Sequence, residues 1–168
     1  ISDQFDVVLL DPPPALGMIS LSVLRAANAL LIPAPPSNID FASTAHFLKM
    51  MEATLSELAK FGGERSYSFV KILASKMNDQ KSAHVAIKRM MDAVFPQDML
   101  QSVLKDSAEI DNATANLSTV YELTGPSTRT ETHKRCRAYL DAVGREVETL
   151  ARKTWPSHHR ALRKEGVL

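Results

Sequence analysis

The sequence predicts an α/β fold in which a parallel sheet is flanked by helices. Apolar runs without alternation occur at 7–10 and 30–32, and residues 69–73 are apolar except for Lys71; such runs are typical of strands that are covered on both faces. Between and after them, apolar residues recur at helical spacing over 41–60 and 81–94. Strands that alternate with helices favour parallel pairing over hairpins.

The first predicted strand spans residues 5–11 and ends in a carboxylate. Pro12, Pro13 and Pro14 cannot continue a hydrogen-bonded ladder, so the strand must stop at Asp11. This places one charge at the carboxyl end of a buried strand, where open α/β sheets bind ligands. A carboxylate there commonly serves a metal–phosphate site, because Mg²⁺ takes oxygen ligands and often keeps its waters. The alternative is a carboxylate that caps the next turn.

The remaining elements follow from periodicity and from chain-breaking residues. Asp40 is predicted to cap a helix over 41–60 that Gly62 and Gly63 end. The other predicted elements are a helix at 20–27, a strand at 29–33 with the exit Pro35-Pro36, a strand at 67–75, a helix at 81–94, a short strand or turn at 99–104, and helices at 108–115 and 129–153. We assign 1–154 to one domain and 155–168, after the break at Pro156, to a flexible basic tail.

Composition excludes several classes of protein and site. Cys136 is the single cysteine, so the chain cannot form an internal disulfide or a cysteine metal cage, and a partly buried helix position is the simpler interpretation. The five histidines are dispersed without metal-ligand spacing. No nucleophile elbow, signal peptide or membrane-length apolar run is present.

The last quarter of the sequence is basic. Residues 129–168 hold 10 Lys and Arg against 5 Asp and Glu, whereas residues 1–128 hold 10 against 14. This charge asymmetry favours a polyanionic partner, and DNA is the first candidate. The predicted DNA-contacting residues are Lys105, Arg129, Lys134, Arg135 and Arg137. The alternative is a solvated helix face, since Glu131 and Arg135 have the i,i+4 spacing of a surface ion pair.

Three blocks of the sequence resemble one known family. The strand with Asp11, Pro13-Pro14 and Leu16-Gly17 resembles the Walker B segment of the ParA/MinD deviant-Walker ATPases. The closest likeness is to the large ParA-type plasmid partition proteins, including RepA proteins of repABC replicons. Residues 30–41 resemble the next strand and its proline-rich exit in that group, and residues 113–122 resemble the segment before the C-terminal helix. Pro12 stands where the family usually has a small residue.

The family's glycine-rich phosphate loop, KGGxxK[ST], has no counterpart in this sequence. Its closest candidate, Gly62-Gly63, is followed by Glu64-Arg65-Ser66 without the lysine. The resemblance therefore implies the C-terminal portion of a ParA-type ATPase, or a truncated gene. In that fold the phosphate-loop strand lies between the Walker B strand and the strand at 29–33. We therefore expect the isolated chain neither to hydrolyse ATP nor to fold stably.

The resemblance also implies functional residues. Asp11 would be the catalytic carboxylate that coordinates Mg²⁺ through water and orients the attacking water, with Pro13 in the same nucleotide site. Met77 and Asn78 follow the third strand, where relatives hold adenine; an amide can bind a base edge, and methionine offers a soft apolar face. Asn78-Asp79 is equally good turn chemistry.

For the complete protein, the resemblance implies an ATP-bound homodimer that binds nonspecific DNA and moves plasmid cargo. A centromere-binding ParB-type partner stimulates its hydrolysis, and the expected location is the cytoplasm, on the nucleoid. One alternative is a non-catalytic DNA-binding or interaction remnant. Another is a MinD-like membrane-associated ATPase, which the polar residues after Pro156 disfavour because they interrupt an amphipathic C-terminal helix.

Overall fold

Helices and strands alternate in the computed structural model, which describes residues 5, 7–13, 17–62, 66–123 and 130–154. In chain order the elements are α1 (Met18–Ala26), β1 (Leu30–Ala34), α2 (Asn38–Gly62), β2 (Val70–Ala74), α3 (Ser82–Val94), α4 (Ala108–Ala115) and α5 (Glu131–Thr154). The predicted α/β class is confirmed. Arg129 and the predicted tail at 155–168 lie outside the described residues.

The two strands pair in parallel, as predicted. Leu30 lies opposite Val70, and the register continues to Ala34 opposite Ala74. Residues 98–106 run along the other side of β2: the amide of Ile72 donates to the Asp98 carbonyl at 2.8 Å, and the amide of Leu100 donates to the Ile72 carbonyl at 2.9 Å. The predicted short strand or turn at 99–104 is thus an irregular third strip of the sheet, joined by single parallel bridges.

The core has two parts. Ile72 and Ala74 of β2 pack with Ala34, Ile87 and Met91, all under 9% exposed, and the partly buried Phe41, Leu48 and Phe95 cover them. The rings of Phe41 and Phe95 meet edge to face with centroids 6.3 Å apart, a favoured aromatic geometry. Farther along the chain, Ala113, Val120 and Cys136 form a second cluster between α4 and α5. Cys136 therefore lies on a helix as predicted, but it is fully buried and not partly buried.

The predicted strand at 5–11 is wrong over the part that the structure describes. Residues 7–13 form no strand, and the side chains of Val7 to Leu10 are 49–88% exposed. None of the described segments forms a ladder with them. An apolar run becomes a strand only where a neighbour satisfies its backbone and covers its faces, and neither condition holds here.

The predicted cap of α2 is also wrong by three residues. The helix begins at Asn38, and the Ser37 hydroxyl oxygen accepts from the Asp40 amide at 3.1 Å. The Ser37 hydroxyl in turn donates to the Asp40 carboxylate at 2.5 Å. Ser37 is therefore the N-cap, and Asp40 is the third helical residue, whose carboxylate accepts from the Ser37 hydroxyl and not from its backbone amide. The helix extends to Gly62, two residues beyond the predicted range, and the next residue, Gly63, lies outside the described residues.

Candidate functional site

Three segments pass from sheet to helix at one edge of the sheet. β1 leads through Pro35 and Pro36 into α2, β2 leads through residues 75–81 into α3, and the 98–106 strip leads through Ser107 into α4. Because the strands are parallel, their carboxyl ends meet at this edge and bring the N-termini of the three helices with them. This is the edge at which open α/β sheets bind ligands.

The loop after β2 is held firmly in place. The Met77 amide donates to the Leu104 carbonyl at 3.1 Å, and the Met77 carbonyl accepts from the Asp106 amide at 2.9 Å. The Met77 side chain is 5% exposed. Lys76, just before it, has a φ of 51°, a left-handed conformation that few residues other than glycine adopt, and it lies between the end of β2 and the parallel bridge of Met77 with Lys105.

Asn78 forms the turn that the sequence allowed, and the turn uses only the oxygen of its side chain. Its amide oxygen accepts from the Gln80 backbone at 2.9 Å, which closes an Asx turn. Its own backbone amide donates to Nδ1 of His84 at 3.3 Å. Among the described residues no acceptor binds the Asn78 side-chain nitrogen, so that group can still donate to a base edge.

Two open grooves flank this loop. The α2 groove, of about 500 Å³, lies between the starts of α2 and α3 and is lined by Ser37–Ile39 and Gln80–His84. The α5 groove, of about 300 Å³, lies between the loop, the start of α4 and one face of α5; it is lined by Met77–Gln80, Lys105–Ala108, Thr132, Arg135, Cys136 and Tyr139. The predicted pair Met77 and Asn78 thus lies in the α5 groove.

Opposite charges meet at the α5 groove. Nζ of Lys105 donates to both carboxylate oxygens of Asp79 at 2.6 Å, so this predicted DNA contact is already paired. The Arg135 guanidinium donates to the hydroxyl of Tyr139, and this bond raises the pKa of Arg135 above its usual range. At the N-terminus of α4, the Ser107 hydroxyl oxygen accepts from the Glu109 amide at 3.3 Å and caps the helix.

Two other predicted DNA-contacting residues of α5, Lys134 and Arg137, do not line this groove. Lys134 lies 2.7 Å from Glu131, and Arg137 stacks over the ring of Tyr121 with its guanidinium carbon 5.0 Å from the centroid. The Tyr121 hydroxyl donates to Asp141 at 2.5 Å, and this bond raises the pKa of Tyr121. The predicted DNA set therefore divides: Lys134 and Arg137 share the outer face, while Lys105 and Arg135 line the groove.

Asp11 and Pro13 line neither groove. Asp11 lies in the exposed 7–13 segment and forms no hydrogen bond or ion pair with the residues that the structure describes. The Pro13 carbonyl accepts from the Ser20 hydroxyl at 3.3 Å, which anchors the segment to α1. Within the described ranges, no three His, Cys, Asp or Glu side chains come close enough to hold a metal ion. The donors present suit a nucleobase, but they do not form a Mg²⁺–phosphate site.

Sequence reasoning missed the contribution of α5 to the groove. Thr132, Arg135, Cys136 and Tyr139 follow the i, i+3, i+4, i+7 spacing that puts residues on one helix face. That spacing is visible in the sequence, but it is also the pattern of an ordinary packed face. Separately, none of the helices in the described ranges is long and apolar enough to cross a membrane.

Similarity to known proteins covers most of this chain. No model of a known protein family matches it. It is 26% identical over 155 residues to "Putative replication protein A" of Rhizobium rhizogenes, covering 92% of this chain and 38% of that protein. SopA of Escherichia coli K12 is 25% identical over 123 residues, 73% of this chain and 31% of SopA. The cell division protein PomZ of Myxococcus xanthus is 36% identical over 58 residues, 34% of this chain and 17% of PomZ.

A solved structure of a partition protein has a similar fold. Its TM-score is 0.51 at 26% sequence identity, and the match covers 76% of this chain and 32% of that protein. In each comparison the chain spans less than two fifths of the relative's length.

Proposed function

We propose that this chain is the C-terminal portion of a ParA-type partition protein, and thus part of an ATPase that partitions plasmids or chromosomes; its similarity to a replication protein A, to SopA and to a partition protein of known structure supports this. Within that ATPase it supplies the base-binding side of the nucleotide site and a DNA-contacting helix. ATP, Mg²⁺, an ATP-bound homodimer and a centromere-binding ParB-type partner belong to this proposal.

One observation carries the nucleotide part of the proposal. The α5 groove lies at the carboxyl edge of the parallel strands and contains the buried Met77, the free amide nitrogen of Asn78 and the ring of Tyr139. An apolar floor, a hydrogen-bond donor and an aromatic wall are what a planar base needs. The phosphates and Mg²⁺ require groups beyond these described residues, above all a phosphate loop.

Asp11 is the proposed metal-side carboxylate, and its role is tested by hydrolysis. In the longest polypeptide that carries this sequence, we expect Asp11→Asn to lower kcat for ATP at least about a hundredfold while nucleotide affinity stays within a few-fold, because the lost group acts on the reacting water. Phosphate release under saturating ATP measures the rate. Asp98→Asn, another exposed carboxylate, is the matched control and should leave kcat unchanged.

The DNA part of the proposal rests on the outer face of α5. Lys134 and Arg137 are exposed there, and each would neutralise one phosphate; the pair of Lys134 with Glu131 lies on the surface, whereas the paired Lys105 side chain is mostly buried. We expect the double variant Lys134→Ala/Arg137→Ala to weaken binding to duplex DNA of any sequence and to reduce the slope of log K against log salt by about 2. Fluorescence anisotropy at several salt concentrations measures both quantities.

The control for this experiment is Lys60→Ala, which removes an exposed, ion-paired cation from α2. An unchanged salt slope in the α5 double variant would contradict the assignment. The same slope change in Lys60→Ala would show that net charge alone is responsible.

A non-catalytic DNA-binding or interaction protein is the second candidate. It is favoured by the exposure of the apolar side chains of Val7 to Leu10, which places the segment that contains Asp11 outside the core. DNA binding without measurable ATP hydrolysis in the longest polypeptide would decide for this candidate.

A further inference from the structure

The outer face of α5 carries two arginines with an aspartate between them. At about 100° per residue, Arg137, Asp141 and Arg145 fall within a quarter of a turn, and Arg145 lies opposite the buried Cys136. Asp141 is four residues from each arginine, which is the spacing of a surface ion pair. Within the part of the chain that the structure describes, however, neither arginine forms an ion pair with Asp141 or with any other carboxylate.

The side chain of Tyr121 contacts both Arg137 and Asp141. The guanidinium carbon of Arg137 lies over the face of the ring, 5.0 Å from its centroid. The hydroxyl at the far end of the ring donates to Oδ1 of Asp141 at 2.5 Å. One aromatic side chain therefore binds the cation by its face and the anion by its hydroxyl, and these two charges do not pair with each other.

Tyr121 is held in place by its own segment of the chain. Its neighbour Val120 is 4% exposed and packs with Cys136 in the second core cluster. The Thr119 amide donates to Oε2 of Glu122 at 2.8 Å, and the Glu122 amide donates to the Thr119 carbonyl at 3.1 Å, so a closed turn contains Tyr121. The backbone of Tyr121 is thus fixed beside α5 before any ligand binds.

We propose that Tyr121 is a positioning residue for a phosphate-binding site that Arg137 and Arg145 form on the outer face of α5. This inference rests on the proposed function, because the phosphates are those of DNA, and it deepens that function by adding Arg145 and the role of Tyr121. A guanidinium that lies flat on a ring uses its face, so the N–H donors in its plane stay available for an anion. The Tyr121 hydroxyl holds the one carboxylate that is close enough in sequence to take those donors.

The first test counts the cations that meet phosphates. In the longest polypeptide that carries this sequence, with ATP and Mg²⁺ present, we expect Arg145→Ala to weaken binding to duplex DNA several-fold and to reduce the slope of log K against log salt by about 1. Fluorescence anisotropy at several salt concentrations measures both quantities. Arg89→Ala removes an exposed arginine from α3 and should leave the slope unchanged. An unchanged slope in Arg145→Ala, or an equal change in both variants, overturns the inference.

The second test isolates the hydroxyl of the tyrosine. Tyr121→Phe keeps the ring beside Arg137 and frees Asp141, whose carboxylate then pairs with an arginine one turn away. A surface pair of this kind corresponds to about a twofold change in affinity, so we expect Tyr121→Phe to bind duplex DNA about twofold more weakly. In the Asp141→Asn background the same change should have no effect, because no carboxylate remains to be freed. A purely structural role of the hydroxyl predicts the same loss in both backgrounds.

Each outcome decides a separate question. If Tyr121→Phe binds DNA as the unmodified polypeptide does, or loses affinity equally in both backgrounds, the inference is overturned while DNA binding by Lys134 and Arg137 stands. If the unmodified polypeptide binds no duplex DNA, the DNA part of the proposed function fails, and the inference fails with it. Tyr121 is 49% exposed and Arg145 is exposed as well, so we expect their variants to fold, which circular dichroism checks.

Discussion

Leu117 ends α4 in a backbone conformation that most residues avoid. Its φ is 50°, its amide donates to the Thr114 carbonyl at 3.0 Å, and the next amide, of Ser118, donates to the Ala113 carbonyl at 3.0 Å. This pair of bonds is a Schellman motif, whose left-handed position is usually glycine. The leucine side chain is 98% exposed, so no packing offsets the strain.

We expect Leu117→Gly to raise the free energy of unfolding of the longest polypeptide that carries the chain by about 0.5–1 kcal/mol, because glycine adopts this conformation without the Cβ clash. Urea titration measures the change. Leu117→Ala keeps the clash and removes the same exposed side chain, so it should lie within about 0.5 kcal/mol of wild type. Equal stability of all three proteins would show that the left-handed turn is not strained.

At the scale of elements, one carboxylate joins α5 to the sheet. Both oxygens of Glu146 accept backbone hydrogen bonds, from Gln101 at 2.8 Å and from Ser102 at 2.7 Å. Burial raises the pKa of Glu146, but the hydrogen bonds from Ser102 and Gln101, with Lys71 nearby, outweigh it and hold this pKa below its ordinary value of 4.5. At 101–102 the backbone amides of the strip therefore donate to a side chain, where a regular strand would donate to the neighbouring strand.

We expect Glu146→Gln to lower the free energy of unfolding at pH 7 by about 1–2 kcal/mol, because a neutral amide accepts these bonds more weakly and with one oxygen. Since the folded pKa is depressed, the stabilisation is present above pH 4.5 and is lost as the pH falls through the lower folded value. The difference between variant and wild type should therefore shrink in acid.

Glu148→Gln on the same helix is the control. Glu148 pairs with Arg152 at 2.7 Å on the surface, and such i,i+4 pairs contribute about 0.3–0.5 kcal/mol. A loss for Glu146→Gln no larger than this, or one that persists unchanged at pH 3, would contradict the proposed link between α5 and the strip.

Local patterns predicted the elements well because local chemistry forms them. Apolar periodicity predicted helices over 41–60 and 81–94. The structure confirms both helices, with bounds that differ from the prediction by up to three residues. The sequence did not identify Ser37 as the N-cap, because serine and aspartate are equally good N-cap residues. Which of the two caps the helix depends on where the chain turns after Pro36. The strand at 5–11 failed because pairing is a property of two segments, and the pattern of one cannot supply the other.

The candidate site was predicted in part for the same reason. The sequence placed Met77 and Asn78 directly after a strand, and they do lie in the loop after β2; their role in binding a base came from the family resemblance and stays a prediction. The face of α5 that meets them depends on how that helix packs on α4 through Cys136, which no local pattern specifies.

At the scale of the whole molecule, the described sheet is narrow. Two regular strands and one irregular strip carry the main core, and the apolar side chains at 7–10 remain exposed. β1 has a described neighbour on one side, through β2. Exposed apolar side chains beside an open strand edge favour association with other chains.

We therefore expect the isolated 168-residue chain to release no phosphate from ATP and to show no cooperative unfolding transition in urea. Phosphate release and circular dichroism of the purified chain measure these two properties. A sigmoidal transition with a normal slope would refute the stability expectation, and measurable phosphate release would refute the catalytic one. A longer polypeptide that also supplies the phosphate-loop strand is the matched comparison.

The register that sets Leu30 opposite Val70 also has a consequence for biosynthesis. Forty residues separate the two partners, and ribosomes add about 5–20 residues each second, so β1 waits roughly 2–8 seconds for β2 to be made. The intervening helix α2 needs no distant partner for its backbone bonds and can form during that interval. A nascent chain arrested before Val70 should therefore display helix without sheet, and its unpaired β1 is a natural recruitment point for a chaperone.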